Sequence, residues 1–259
     1  MRDYLDVLAR VAQINVDDEY YDQAQPSERI HVSLKQAILN CKAAPVISEI
    51  KAASPSAGVI RSNIDAGEIA KAMQRGGATG LSVLTEPRQF SGSLEALAQA
   101  RGAVKLPILM KDIIVSPVQI QSAYKMGANA VLLIQALFDR GYIEKSVDEM
   151  ILGAHLLGLE VLLETHTKAE FCSAVTSGAD LVGINNRNLS TLKVDLGVTK
   201  RILAENGSNG KLVVSESGIN TTADIEFLKQ AGARAFLIGS AIMSSSDIEQ
   251  KVKEFVNAK

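Results

Sequence analysis

Tryptophan is absent from this 259-residue sequence, and six phenylalanines and five tyrosines are its only aromatic residues. With 47% hydrophobic residues the chain can bury a sizeable core, which must be largely aliphatic. A ring-shaped ligand would find few aromatic surfaces. Cysteine is scarce as well: Cys41 and Cys172 are far apart and form no CxxC pair. That excludes a disulfide framework or a thiolate metal site, fits a reducing compartment, and predicts two buried thiols acting as small hydrophobes. Neither sign of charge dominates, with 27 Lys and Arg against 29 Asp and Glu, a net charge of −2 and no basic run. Nucleic acid and anionic membrane are therefore not expected partners. No apolar window approaches the ~20 residues of a membrane span. Asp6 and Arg10 interrupt the first apolar positions, so no secretory leader is predicted and a cytoplasmic protein is expected.

What is present is a rhythm. Leu5, Leu8, Val11 and Ala12 recur at helical spacing, a polar stretch runs from Asp17 to Arg29, and a second helical pattern covers Leu34 to Cys41. Residues 1–44 thus read as an N-terminal helical extension. From Pro45 onward, short apolar runs alternate with helix-length amphipathic stretches. The runs are Val46–Ile50, Gly80–Leu84, Pro107–Lys111, Ala130–Ile134, Glu160–Glu164, Leu181–Ile184, Leu212–Ser215 and Ala235–Ile238. Between and after them lie Ala66–Arg75, Leu94–Arg101, Pro117–Met126, Ile143–Leu157, Lys168–Ser177, Val198–Glu205, Thr222–Ala231 and Asp247–Val256. Eight strands each followed by a helix close as an α/β (β/α)8 TIM barrel, and ~250 residues is the usual size of that fold. An open doubly wound sheet is the alternative. Length alone would admit two domains, but no linker rich in Pro, Ser or Gly divides the repeats, so residues 1–259 read as one barrel domain with its extension. Gly77-Ala78, Gly127-Ala128, Gly178-Ala179 and Gly232-Ala233 each precede a strand. A left-handed helix terminus is expected at each glycine.

In such a barrel, chemistry sits at the carboxyl ends of the strands. There the first run ends Glu49-Ile50-Lys51, the third Lys111-Asp112, the fifth Glu164, the sixth Asn185-Asn186-Arg187 and the seventh Glu216-Ser217-Gly218. One charged residue ending an apolar run is an ordinary solvated strand end. Convergence from five strands points to a site, although a mutually neutralising ion-pair network is the structural alternative. Residues two apart on a strand share a face, which puts Glu49 and Lys51 on one side. Lys51, Lys111 and Arg187 suit a substrate bearing phosphate or carboxylate, with Glu49 and Glu164 balancing them. Neighbouring like charges and burial would lower a lysine's pKa and make it a proton donor near neutrality.

Ser217-Gly218 after the seventh run and Gly239-Ser240 after the eighth read as a phosphate cradle, the latter opening a short helix at Ala241-Ile242-Met243. His31, His155 and His166 have no metal-ligand spacing, and His155 falls in a helical pattern where packing or an outer face is expected. No GxSxG elbow and no GxGxxG after a strand occur, which disfavours a serine hydrolase and a nicotinamide enzyme.

The stretch Glu49-Ile50-Lys51-Ala52-Ala53-Ser54-Pro55-Ser56-Ala57-Gly58, with Leu84-Thr85-Glu86-Pro87 and Phe90-Ser91-Gly92-Ser93, resembles the indole-3-glycerol phosphate synthase family of tryptophan biosynthesis. The likeness continues through Lys111-Asp112, Leu162-Leu163-Glu164, Gly183 to Leu189, Ser215 to Ile219 and Gly239-Ser240. The N-terminal helices are similar to that family's extension over the barrel mouth. The resemblance implies closure of 1-(2-carboxyphenylamino)-1-deoxyribulose 5-phosphate to an indole, with loss of carbon dioxide and water and no cofactor or metal. It makes Lys111 the acid that protonates the ribulose carbonyl and Glu164 the base. Glu49, Asn185 and Ser217 join the catalytic set, with Lys51 as anion anchor or second acid. Ser54, Gly218, Gly239 and Ser240 would hold phosphate together with Lys51. Ser54, Pro55, Phe90, Arg187, Leu189 and Glu216, with Ser217, would surround the rest of the substrate.

The sequence departs from the family's usual pattern at Ala52 and Met110, where basic residues are common, and at Ile113, where phenylalanine is. Isoleucine keeps apolar contact with the substrate ring but loses ring-to-ring geometry worth ~0.5–1.5 kcal/mol. Met110 alternates with Lys111 and should face the helices. A Schiff-base aldolase also uses a barrel lysine, and a noncatalytic phosphosugar-binding barrel would use the cradle alone. Phosphoribosylanthranilate isomerase and tryptophan synthase α-type barrels handle related ligands, but neither explains Glu49-Ile50-Lys51 followed by Ser54-Pro55-Ser56. The outer surface gives no decisive interface signal, so the sequence leaves the oligomeric state open and compatible with a monomer, and a small phosphorylated molecule is the expected partner.

Overall fold

The structure, a computed structural model, describes residues 3–54, 58–62 and 64–258. The chain opens with α1 (Tyr4–Asp17), a 3₁₀ turn (Tyr20–Gln23) and α2 (Leu34–Asn40). There follow β1 (Val46–Ile50), a two-stranded hairpin of β2 (Ala53–Ser54) and β3 (Gly58–Val59), and α3 (Ala66–Arg75). Next come β4 (Gly80–Leu84), α4 (Leu94–Ala103), β5 (Ile108–Lys111), α5 (Pro117–Lys125), β6 (Ala130–Ile134), α6 (Gln135–Asp139) and α7 (Val147–Leu156). The last third contains β7 (Glu160–Thr165), α8 (Lys168–Thr176), β8 (Leu181–Asn185), α9 (Gly197–Asn206), β9 (Leu212–Glu216), α10 (Thr222–Gln230), β10 (Ala235–Ile238), α11 (Ser240–Met243) and α12 (Ile248–Val256).

Eight strands, β1 and β4 to β10, pair in parallel and close into a barrel in the order β1-β10-β9-β8-β7-β6-β5-β4. The eight apolar runs are these eight strands, and the open sheet is excluded because β1 pairs with both β10 and β4. The strands are buried on both faces, which is why they read as continuous apolar runs rather than alternating ones. Met110 is fully buried, a place where a basic side chain would lie in an apolar layer. Helix starts are fixed locally. Ser116, Ser146 and Thr221 each form a capping box with the residue three positions on.

Several expectations are corrected. The stretch Ile143–Leu157 is not one helix: α7 starts at Val147, because the Ser146–Glu149 capping box sets its first turn. The five-residue α6 had no sequence signal. Gly77, Gly127 and Gly232 take positive φ values of 93°, 77° and 105°, but Gly178 does not. There the residue after α8, Ser177, is already extended, where the corresponding residues before the other three glycines are still helical, and its hydroxyl donates to the Ala174 carbonyl. The cysteines are not buried: Cys172 is exposed and Cys41 half-buried.

The two N-terminal helices sit at opposite ends of the barrel rather than both over the mouth. Tyr4 and Leu8 of α1 line the cavity at the carboxyl ends of the strands. α2 lies at the other end, where the carboxylate of Glu160, the first residue of β7, accepts from the Ser33 hydroxyl and the Leu34 and Lys35 amides. Leu34 there packs against Gly80, the first residue of β4. No described helix is long and apolar enough to cross a membrane.

Candidate active site

A cavity of about 570 Å³ opens at the carboxyl ends of the strands, within the range for a small organic ligand. Its floor is charged. β1 brings Glu49 and presents Lys51 just beyond its end; β5 ends in Lys111, β7 carries Glu164 and β9 ends in Glu216. The Lys111 ammonium lies 4.0 Å from Glu49, 3.7 Å from Glu164 and 3.9 Å from Glu216. Lys51 pairs with the other Glu49 oxygen at 2.7 Å.

These distances overturn the expectation of a lysine with a lowered pKa. Burial does work to discharge Lys111, but Glu164, Glu49 and Glu216 outweigh it and raise its pKa, so it stays an ammonium. The three buried carboxylates do not share the cations around them equally. Burial favours the neutral form of each, yet Lys51 and Lys111 pull Glu49 below its ordinary range, and Lys111 and His166 do the same for Glu164. Glu216 goes the other way: burial first, then the neighbouring Glu164 charge, push it well above the ordinary carboxylate range. Both Glu216 oxygens and Glu164 Oε2 are buried without a hydrogen-bond partner among the described residues. Unpartnered polar atoms facing a cavity are what a polar ligand would satisfy.

The upper wall carries the remaining candidates. Asn185 accepts from the Arg187 amide at 3.0 Å, and the Arg187 guanidinium is held on the Leu192 carbonyl at 3.1 Å. Phe90, Leu189 and Ile113 supply apolar lining. Ser217 (φ 66°) and Gly218 (φ 86°) form a left-handed turn after β9, and Gly239 and Ser240 open α11 beside it on the cavity wall. Gly239 is required by proximity, since a Cβ there would lie 2.4 Å from Glu49 Oε1 and 3.0 Å from Lys51 Nζ. Lys51 therefore faces Gly239, one of the glycines that the sequence marks for phosphate. Pro55 lies outside the described residues, as does the Ser54 side chain, of which only the backbone pairing with Gly58 is described.

Other residues contribute to the site in ways the sequence did not assign. Tyr4 adds a second aromatic ring to the lining and donates to Gln89 at 2.6 Å. Buried Glu86 accepts the amides of Arg88, Gln89 and Phe90 and the Asn15 side chain, tying the Phe90 loop to α1. Asp112, next to the site lysine, accepts from Tyr21, Thr85 and the Ile113 amide; burial pushes it up to about 7 against those bonds. Asn186 donates to the Glu216 and Ser217 carbonyls and so shapes the end of β9. His166 sits behind Glu164, its Nε2 3.2 Å from Glu164 Oε1.

The family model described as indole-3-glycerol phosphate synthase matches residues 4–255. The chain belongs to the indole-3-glycerol phosphate synthase family. The protein of that name from Mycolicibacterium smegmatis is 40% identical over 255 residues, 98% of this chain and 90% of the relative. That from Neisseria meningitidis serogroup B is 47% identical over 209 residues, covering 80% of this chain and 77% of its own. Among solved structures, a thiamine phosphate pyrophosphorylase from Pyrococcus furiosus superposes with a TM-score of 0.60 at 16% identity, covering 84% of this chain and 95% of its own. At that identity the likeness concerns the barrel alone. The synthase match, by contrast, takes in α1 as well as the strand ends that carry Glu49, Lys111, Glu164 and Glu216.

Proposed function

We propose that this synthase closes 1-(2-carboxyphenylamino)-1-deoxyribulose 5-phosphate to indole-3-glycerol phosphate, releasing carbon dioxide and water. The observation that carries the reading is the Lys111 ammonium within 4.0 Å of three carboxylates at the floor of a cavity whose rim holds two glycine turns. Ring closure needs a proton at the ribulose carbonyl while the aromatic carbon attacks it, and Lys111, kept charged, is a loaded donor at neutral pH. Loss of carbon dioxide then restores the ring's aromaticity. Dehydration needs a base for the departing proton and an acid for the hydroxyl. Glu164, kept ionised, is the base, and Lys51 serves the second acid step or anchors the anion.

Glu216, which burial and the Glu164 charge bias toward its neutral form, is the carboxyl of the three best suited to meet the substrate carboxylate as a hydrogen-bond donor. Gly218, Gly239 and Ser240 cradle the phosphate with Ser54 and Lys51. Phe90, Pro55, Leu189, Arg187 and Ser217 surround the aromatic and ribulose parts, with Asn185 and Glu49 orienting polar groups. The substrate is a small phosphorylated molecule and the setting cytoplasmic.

A Schiff-base aldolase fits less well, because that chemistry needs a neutral lysine amine and Lys111 is held charged. The deciding experiment is incubation of the folded protein with the carboxyphenylamino-deoxyribulose phosphate while indole fluorescence is followed. Without tryptophan the protein adds no indole signal of its own. Indole formation is expected; its absence, or borohydride trapping of a substrate adduct on Lys111, would overturn the assignment.

A further inference from the structure

His166, set aside in the sequence for want of a metal-ligand pattern, is the first residue after β7, two positions beyond Glu164 and so on the same side of the chain. Its ring lies between two carboxylates. Nε2 is 3.2 Å from Glu164 Oε1, and Nδ1 is 3.5 Å from Glu170 Oε2 on the first turn of α8. Glu170 is itself held, accepting from the His166 amide at 2.8 Å and from the Thr167 hydroxyl at 3.0 Å. The His166 side chain is 11% exposed, so water does little to share these charges. Neither ring nitrogen makes a hydrogen bond of good geometry to a described residue, so the two contacts are ionic; a neutral imidazole would turn a lone pair toward one of the carboxylates, and only imidazolium places positive charge against both.

We propose that His166 is a positioning residue that, as an imidazolium between Glu164 and Glu170, selects Glu164 as the ionised carboxylate of the barrel mouth. This rests on the ring-closing activity proposed above and adds the choice of base. Glu164 is faced by Lys111 from β5, Glu49 from β1, Glu216 from β9 and His166 from its own strand end. Lys111 lies almost equally far from Glu164 and Glu216 and cannot by itself decide which of them keeps its charge. His166 is a second cation beside Glu164 alone. The negative charge is therefore drawn to the carboxylate that must take a proton, and Glu216, with no such second cation, is the one biased toward its neutral form.

The test is the pH dependence of indole formation in the wild type, His166→Gln and Glu170→Gln. The wild type should show no acid limb in kcat/KM from Glu164 above about pH 5, because the base is already ionised there. His166→Gln should acquire an acid limb between about pH 5 and 7, with kcat/KM lowered about tenfold or more at pH 6 and recovering to within a few-fold of wild type near pH 9. KM should change little. Glu170→Gln, which keeps the histidine, should shift in the same direction by less. A loss of activity uniform across pH would mean a merely structural role and overturn the proposal. Nitrogen-15 NMR of the histidines in the wild-type protein decides the charge independently of any variant's folding. The His166 ring, assigned by through-bond correlation to its own backbone, should remain imidazolium at pH 7.5, and a neutral His166 ring would overturn the proposal. A wild type that forms no indole overturns the proposed function, and with it the need for a base at Glu164.

Discussion

An ammonium surrounded at 3.7 to 4.0 Å by three carboxylates has no free electron pair near neutral pH and can act there only by giving a proton. Lys111→Met should therefore lower kcat by about 10²–10⁴, the usual contribution of a positioned acid. Titration calorimetry should find binding of indole-3-glycerol phosphate within a few-fold of wild type, since the cradle is elsewhere. A variant retaining kcat within tenfold would remove Lys111 from the chemistry. Gly239 makes a different kind of contribution. An added methyl would collide with Glu49 and press on Lys51, so Gly239→Ala should displace that pair and cost about 10² in kcat/KM. Unchanged kinetics would show that the pair moves aside freely. Glu49, Lys111, Glu164 and Glu216 were legible in the sequence because each ends an apolar run and strand alternation aims it inward. The direction of the Lys111 shift was not legible, since it depends on how many carboxylates surround the ammonium. The parts played by Glu86, Asp112 and His166 were not legible for a related reason: each acts by what it accepts from or faces across the barrel, which periodicity does not encode.

α1 and α2 show the same limit one level up. Helical spacing revealed both, along with all eight strands, but amphipathicity says only that a face is buried, not against which end of a barrel. α1 is tied to the mouth by Arg140, which reaches Asp3 and Asp6 at 2.7 and 2.9 Å, and by Asn15 on Glu86. α2 is fixed to the opposite end of the barrel by Glu160. Two substitutions separate these roles. Leu34→Ala removes a fully buried side chain at the end of the barrel away from the cavity and should destabilise the fold by about 2–5 kcal/mol with kcat/KM unchanged. Leu8→Ala takes atoms from the cavity wall as well as from the core, so it should raise KM at comparable loss of stability. Urea unfolding beside steady-state kinetics checks both. Equal kinetic effects would mean that the two helices are not functionally distinct.

The barrel mouth also ties the stability of the protein to pH, and its groups pull in opposite directions. Glu49 and Glu164 are held below their ordinary range, so their contribution is present above that range and is lost on acidification. His166 is raised from 6.5 to about 9, because Glu164 and Glu170 outweigh the burial that would lower it. A group whose folded pKa is raised stabilises fully below its unfolded pKa and loses that contribution as pH rises through the folded one. For His166 the window therefore runs from about 6.5 to about 9, and a shift of that size corresponds to roughly 3 kcal/mol. Against a total of ~5–15 kcal/mol for a typical native protein, this is a large share. Asp112, raised to about 7 by burial, acts in the same sense at lower pH: its contribution is full below about 3.8 and is gone above about 7. The wild type should accordingly lose stability between pH 6.5 and 9 at a temperature where it otherwise stays folded. In His166→Gln, urea midpoints measured across that interval should fall less steeply, the two unfolding free energies converging by roughly 3 kcal/mol toward pH 9. Parallel pH profiles for the two proteins would mean that the histidine titrates alike folded and unfolded, and that its charge is not part of what holds the carboxylates of the mouth together.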